Sequence, residues 1–510
     1  MKNSLNRNVP NGFIPFVSSH EYQNHLGEYK KVSKKEISSE IKSLSSISEL
    51  FDYFNVKDGM TLSFHHHLRN GDGVLNMVCE EIKKRDLKNI HIAASSLFPN
   101  NDEAICDLIK NKNITKITTN YLNGKSANVI GEGYLEDLLV METHGGRARS
   151  IETGELVIDL AILGTPCVDK EGNGTGKEGK NACGVLGYAI PDLHYAKKVV
   201  LISDTLKDKI EDPELDKKYV DAILMVDSIG DKKGIVSGTT NITKDPVGLK
   251  IARDATKLLK ELGVIKDGFT MQTGAGGTSL AVASYIKREM IKEGIVGDFA
   301  SGGITGYYVD MLKDGLFKKL YDVQCFDLQA VESTLTDKAH LMMDASMYGN
   351  PYYENGPIVN GLDLVVLGAT EIDTNFNVNV TTDSFGKIIG GSGGHSDTAN
   401  GAKITMITTQ LIRSRIPVIK EHVTTISTPG EDVDVLVTER GIAINPRRTD
   451  LLEKLKTSNL NILTIEELLK MSYDITTKPA DITLDSKVVG VVKYRDGSII
   501  DSIYKLKEKK

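Results

Sequence analysis

At 510 residues, with 62 basic against 69 acidic side chains and a net charge of −7, the chain is too long for one hydrophobic core. It is also too acidic for a generally basic nucleic-acid or membrane surface. Hydrophobic residues at 40% and charged residues at 26% are ordinary for a folded protein.

Residues 1–32 are rich in Asn, His and Lys around a Pro10-Asn11-Gly12 turn, which predicts a loosely ordered arm that packs on a partner. Ser33-Lys34-Lys35-Glu36 has a capping-box pattern, and Ile37, Ile41, Leu44, Ile47 and Phe51 follow at helical spacing, so a first helix is expected there. Asp58-Gly59 is a turn, and Met60, Leu62 and Phe64 alternate as a strand before the run His65-His66-His67-Leu68-Arg69-Asn70-Gly71-Asp72-Gly73. A helix over 74–85 comes next. Strands are predicted over 90–94, 138–142, 156–163, 199–203 and 222–227. Their alternation with helices implies βαβ units and a mostly parallel sheet.

Lys266-Asp267-Gly268-Phe269-Thr270-Met271 then repeats Lys57-Asp58-Gly59-Met60-Thr61-Leu62 in residue type, which predicts two related halves. The expected fold is α/β, with two similar open, mostly parallel domains over 33–238 and 239–510, joined where Gly, Ser, Thr and Asn accumulate at 231–246. In the second half a helix over 246–262 precedes the loop Gly274-Ala275-Gly276-Gly277, a helix ends at Gly294, and Ser301-Gly302-Gly303-Ile304 reads as another strand-to-helix glycine pair. The apolar run 364–367 and the alternation 376–380 predict strands. Gly390-Gly391-Ser392-Gly393-Gly394-His395 is a third glycine loop, followed by a helix near Asp397. Residues 488–504 form a hairpin about Asp496-Gly497, and 505–510 read as a solvated tail.

Glycine loops after strands bring backbone N–H groups to a phosphate, a carboxylate or an oxyanion, or serve as turns. None matches GxGxxG or a P-loop, and no GxSxG elbow occurs, so kinase, simple dehydrogenase and serine hydrolase readings fall. His65-His66-His67 with Arg69, and Thr143-His144-Gly145-Gly146-Arg147, offer two cationic clusters that suit a polycarboxylate, a metal or plain loop surface. Glu371 and Asp373 read as a general base, a nucleophile, or carboxylates that cap a turn or pair with Arg. His395 reads as an oxyanion donor or as a solvent-facing ring. The five cysteines, Cys79, Cys106, Cys167, Cys183 and Cys325, form no CxxC pair, and no metal centre is expected. Nowhere do 18 apolar residues run together, and Lys2 and Arg7 lead into no apolar segment, so a cytoplasmic protein with reduced thiols is expected.

Taken together, Asp58-Gly59-Met60-Thr61, Ser63-Phe64-His65-His66, His144-Gly145-Gly146-Arg147, Met271-Gln272-Thr273-Gly274, Gly302-Gly303-Ile304-Thr305, Glu371-Ile372-Asp373-Thr374, Phe376-Asn377-Val378-Asn379-Val380, Ser392-Gly393-Gly394-His395 and Tyr494-Arg495-Asp496-Gly497-Ser498 resemble the citrate lyase alpha-subunit family of the CoA-transferase superfamily. The resemblance runs from about residue 33 to 506. It implies transfer of a thiol carrier from an acetyl thioester to citrate, giving citryl thioester and acetate. The carrier would be a gamma subunit, an acyl carrier protein bearing phosphoribosyl-dephospho-CoA, with CoA esters as surrogates. A beta subunit would cleave the product inside one cytoplasmic complex used in citrate fermentation. For that chemistry citrate binding is expected of His66, Arg69, His144 and Arg147, thioester binding of Gly274, Gly276, Gly277, Gly302 and Gly303, and catalysis of His395, Gly393 and Gly394, the last two also lining the thioester site, with Glu371 held open. Relatives with a glutamyl thioester carry a Glu near 300–304; none stands here, which implies a ternary-complex route. An acetyl-CoA hydrolase or CoA-transferase, a citramalate enzyme and an assembly scaffold are the competing expectations.

Overall fold

A computed structural model describes residues 1–18, 29–38, 40–236, 241–274, 276–480 and 482–507. Expectations for residues 19–28 of the arm, for 237–240 of the junction, for Ala275 and for 508–510 of the tail lie outside the described residues.

Short runs of Val, Ile and Leu with no polar alternation, such as Leu364–Leu367, make strands that are buried on both faces. Such strands assemble into parallel sheets covered by helices. Across the larger sheet, Ala222–Met225, Lys198–Ser203, Leu160–Gly164, Thr61–Phe64, Ile90–Ala94, Ile114–Thr119 and Leu139–Met141 are neighbours, all parallel. Across the other, Val435–Val437, Thr405–Thr408, Leu364–Leu367, Met271–Thr273, Gly297–Ile304, Phe317–Cys325 and His340–Met342 repeat that order, again parallel. The fold is therefore two similar open α/β halves.

The repeated hexapeptide opens the central strand of each half and is held the same way twice. Gly59 and Gly268 turn at φ +80° and +75°, a conformation glycine adopts without strain. Asp58 accepts from Lys88 N–H at 2.8 Å and Asp267 from Val296 N–H at 2.9 Å. Thr61 N–H donates to Asp159 at 2.8 Å, and Thr270 N–H to Asp363 at 3.0 Å. Each aspartate occupies the position before the neighbouring strand.

Four expectations change. Residues 33–38 are not helical; Lys42–Leu44 pairs with Ala222–Leu224 as a strand, and the helix is Ile47–Tyr53. Ser46 supplies the acceptor for Glu49 N–H, so the cap lies 13 positions later than the capping-box pattern suggests. The arm's first 18 residues are ordered against the chain's own end: Asn3 Nδ2 donates to the carbonyls of Ile499 and Ile500 at 2.9 and 2.6 Å. Phe16, 1% exposed, meets Tyr494 edge-on at 5.1 Å. The closing hairpin Val488–Lys493 and Ile499–Tyr504 extends the first sheet, pairing in parallel with Leu139–Met141. Gly302 and Gly303 lie within the strand Gly297–Ile304, at a register shift, rather than beyond it. No helix among the described residues is long and apolar enough to cross a membrane.

Candidate functional site

The carboxyl ends of the two sheets face each other across a cluster that both halves build. Tyr188, Ala148, Val323, Met343 and Tyr348 form its apolar floor. His65, His66 and His67 leave the end of Thr61–Phe64, and His144 leaves the end of Leu139–Met141. The Tyr188 ring centre lies 5.0 Å from that of His66 and 4.5 Å from that of His144, so the tyrosine gathers the two predicted clusters. His66 Nδ1 is 2.6 Å from Ser95 Oγ, and its carbonyl accepts from Gln324 Nε2 of the other half at 2.8 Å.

Arg69 adopts φ +52° and lays its guanidinium over two rings, Phe98 at 5.5 Å and Phe326, from the other half, at 4.6 Å. Phe326 fits because Gly303 has no side chain: a Cβ there would stand 2.3 Å from the ring. Burial lowers the Arg69 pKa from its ordinary value, and no carboxylate pairs with it among the described residues. Its Nε, His67 Nε2 and His144 Nδ1 are buried without a hydrogen-bond partner. Buried polar atoms are ordinarily satisfied, so this group of orphans marks a place for an oxygen-rich ligand.

The histidines are not the cations that the sequence suggests. Burial holds the pKa of His66 and His67 well below the ordinary imidazole value, with neighbouring cations and imidazoles adding to the effect. Burial, then Arg147, brings His144 to about 3. At neutral pH these rings are uncharged donors and acceptors, and Arg69 supplies the charge.

Arg147 is committed elsewhere. Nη1 and Nη2 fork onto Asp192 at 2.8 and 2.9 Å, and Nη2 also reaches Ser63 Oγ at 2.8 Å. Burial alone would raise the Asp192 pKa, but Arg147 and then His65 bring it below its ordinary value. This pair ties the helices His144–Glu152 and Ala189–Tyr195 to each other and, through Ser63, to the strand Thr61–Phe64.

Glu371 and His395 are also occupied. Glu371, fully buried, accepts from Lys420 Nζ at 2.5 Å, Asn379 Nδ2 at 2.8 Å and Thr424 N–H at 2.8 Å. Burial opposes its ionisation, yet Lys420 and these donors hold the pKa below the usual carboxylate range. His395 Nε2 lies 3.0 Å from the Gly368 carbonyl and Nδ1 lies 2.7 Å from Thr428 Oγ1. A carbonyl only accepts, so the proton is on Nε2, and neither nitrogen remains for an oxyanion. Gly393 N–H donates to the Asn120 carbonyl at 3.2 Å, so it is not an open donor either.

The glycines act through shape. Gly393 has φ +52°, and a Cβ there would lie 3.3 Å from His144 Nε2; a Cβ on Gly394 would lie 2.1 Å from Tyr348 Oη. Gly276 and Gly277 open the helix Gly277–Glu293 with no side-chain cap at its N-terminus, at the carboxyl end of Met271–Thr273, and Gly274 N–H donates to Val366 O at 2.8 Å. A Cβ on Gly302 would stand 2.7 Å from Gln272. Gln272 in turn donates to Tyr348 Oη at 3.0 Å.

Tyr188, Ser95, Phe98, Phe326, Gln324 and Tyr348 escape the sequence reading, since nothing local distinguishes them. Outside the cluster, Asp322, Cys325 and His340 bring three potential ligand atoms within 4.8 Å of one another. Here the Cys325 thiol and His340 Nε2 each lie 3.0 Å from Asp322 Oδ2, a hydrogen-bonded arrangement.

The family model described as citrate lyase, alpha subunit (CitF), matches residues 40–506. The citrate lyase alpha chain of Haemophilus influenzae is 44% identical over 493 residues, 96% of this chain and 98% of that one. That of Klebsiella pneumoniae is 41% identical over 500 residues, 98% of this chain and 97% of that one. A crystal structure of a citrate lyase alpha subunit from Streptococcus mutans, in complex with citrate, superposes with a TM-score of 0.95 at 44% identity, covering 99% of this chain and 100% of that one. A malonate decarboxylase alpha subunit from Acinetobacter baumannii, at 12% identity and a TM-score of 0.64, covers 86% of this chain and 93% of that one and shares the fold.

Proposed function

The chain belongs to the citrate lyase alpha-subunit family, and from that premise we propose that it transfers a thiol carrier from an acetyl thioester to citrate. The observation that carries the reading is the unpaired Arg69 guanidinium, which acts on His66, together with the orphaned nitrogens of His67 and His144, whose ring centres lie 6.4 and 6.2 Å from that of His66. An arginine forks onto a carboxylate, and neutral imidazoles hydrogen-bond further carboxylate or hydroxyl oxygens. The Streptococcus mutans relative with bound citrate supports the choice of acid.

The chemistry balances without a nucleophile from the enzyme. A citrate carboxylate oxygen attacks the acetyl thioester carbonyl, the C–S bond breaks, and an acetyl-citryl anhydride and a thiolate form. The thiolate attacks the citryl carbonyl, and acetate leaves with an oxygen that began on citrate. Among the described carboxylates of the region, Asp192, Glu371 and Asp397 are each held by two or more donors, which favours this direct route over a glutamyl intermediate. The site's task is to orient two anions and stabilise the oxyanion. Gly274, Gly276 and Gly277 line the thioester side, and Arg147 and Glu371 support the site from behind. The thioester is carried in the cell by an acyl carrier gamma subunit, and a beta subunit cleaves the product, in a cytoplasmic complex.

The test is incubation of the purified chain with acetyl-CoA and citrate, followed by mass spectrometry. Citrate-dependent citryl-CoA with equimolar acetate is expected. Acetate without citryl-CoA would make the protein a hydrolase.

A further inference from the structure

Asp397 lies in the helix His395–Gly401, directly after the Gly393–Gly394 loop, and meets a residue 254 positions away. The Thr143 hydroxyl donates to Asp397 Oδ1 at 2.7 Å, and Gly145 N–H donates to Oδ2 at 2.8 Å. The first turn of a helix has N–H groups without internal partners. For the helix His144–Glu152, one half of the molecule carries the helix and the other supplies the acceptor.

Arg495, in the turn of the closing hairpin, backs the carboxylate with Nε 3.8 Å from Asp397 Oδ1. Its Nη1 reaches Asn400 Oδ1 and its Nη2 the Gly349 carbonyl, both at 2.8 Å. Thr143 and Asp397 are fully buried and Arg495 is 2% exposed. The backbones are packed closely as well: a Cβ on Gly145 would lie 2.1 Å from the Gly349 carbonyl. One bond further along, His144 N–H donates to the Gly393 carbonyl at 2.9 Å. Four segments distant in sequence therefore converge where His144 enters the site.

We propose that Asp397, backed by Arg495, is a positioning residue that clamps the first turn of the helix His144–Glu152 to the Gly393–Gly394 loop and so sets the His144 imidazole against the substrate. The proposal rests on the transferase reading for its effect on catalysis, but the clamp itself is measurable without substrate. Among the described residues, the charged and titratable groups around Asp397 are Arg495 from the hairpin, Tyr348 from the segment Ala345–Gly349, Tyr188, His144 on the clamped helix, and Asp432, which reaches Asn400 at 3.0 Å beside Arg495. Burial pushes the Asp397 carboxyl up to about 6. Below that pH a proton occupies one of its two acceptor oxygens.

Asp397→Ala removes both acceptors. With secondary structure and thermal midpoint retained, it is expected to lower kcat about 100-fold, the scale of a small misplacement of a reacting group, with a smaller change in citrate KM because Arg69 is untouched. Asp397→Asn keeps one oxygen for Gly145 but meets the Thr143 hydroxyl with a donor instead of an acceptor, as the protonated wild-type carboxyl does, so it should show a lowered kcat that matches the wild-type value below about pH 6 and does not vary through that range. Hydrogen exchange in 143–149, measured on the full chain without substrate, should accelerate in Asp397→Ala. If Asp397→Ala does not fold, Thr143→Val and Thr143→Ser replace it, the first losing activity and the second keeping it. The proposal is overturned if Asp397→Ala exchanges like wild type or keeps its kcat, if Asp397→Asn retains the acid limb, or if Thr143→Val is fully active. Wild-type inactivity on citrate would defeat the transferase reading alone, and the exchange data would still decide on the clamp.

Discussion

The guanidinium of Arg69 lies 4.6 Å from the ring centre of Phe326, a residue contributed by the other half of the molecule. The halves thereby share one binding element: the first provides the charge and the second provides the surface that flattens it toward the site. A planar guanidinium both stacks and forks, which an ammonium does not.

Arg69→Ala should lower kcat/KM for citrate by roughly 30-fold, from the loss of about 2 kcal/mol in charge-assisted hydrogen bonds. Arg69→Lys should recover only part of this. Steady-state kinetics with citrate varied at saturating acetyl-CoA is the measurement, and an unchanged KM and kcat would remove Arg69 from the citrate site.

Gly303→Ala should act on the same site at a distance. The added methyl would overlap the Phe326 ring at 2.3 Å, and overpacking of this kind destabilises by about 1–3 kcal/mol. Citrate KM should rise together with a lower thermal midpoint, because the shelf under Arg69 moves.

Glu371→Gln separates a structural carboxylate from a nucleophile. Removing the charge leaves Lys420, 14% exposed at its side chain, beside a neutral amide; breaking a buried pair destabilises by about 3–5 kcal/mol. The folded fraction should nevertheless keep the wild-type kcat. A well-folded variant with no activity would instead identify Glu371 as the nucleophile.

The site histidines should be silent near neutrality. His66 and His67 lie well below the usual imidazole pKa, and His144 is near 3. Their rings should not titrate by NMR through the ordinary imidazole range, and citrate KM should be flat across it. The sign for stability follows by linkage: a histidine with a depressed folded pKa takes up its proton more readily when unfolded. Its contribution is complete above the unfolded value of about 6.5 and is lost as the pH falls below it. Asp72 and Asp432, pushed up to about 7 by burial, bind protons more readily when folded and oppose this trend. A ring titrating near 6.5 would show that water reaches the cluster.

The doubling of the fold is legible in six residues, because the turn glycine, its aspartate and the threonine each have a backbone duty that recurs at Gly268, Asp267 and Thr270. The ends of strands that carry His66, Arg69 and His144 are equally visible, since a loop after a buried apolar run is where a parallel sheet exposes its chemistry. What the sequence conceals is tertiary. Tyr188 and Phe326 look like any aromatic until two sheets meet. His395 looks free until Gly368 and Thr428 take both its nitrogens, and Arg147 looks like a substrate ligand until Asp192 occupies its fork. The capping pattern at Ser33 misleads for the same reason: Lys42–Leu44 gains more from joining a sheet edge than from continuing a helix.

Direct transfer to citrate is tested most closely by oxygen tracing. Enzyme in excess over acetyl-CoA would be mixed with citrate labelled with 18O in its carboxylates, and the products of a single turnover weighed. Direct transfer gives citryl-CoA together with acetate carrying one 18O atom, and no mass change in the protein. Unlabelled acetate with 18O retained on an enzyme carboxylate, or no citryl-CoA at all, would contradict it.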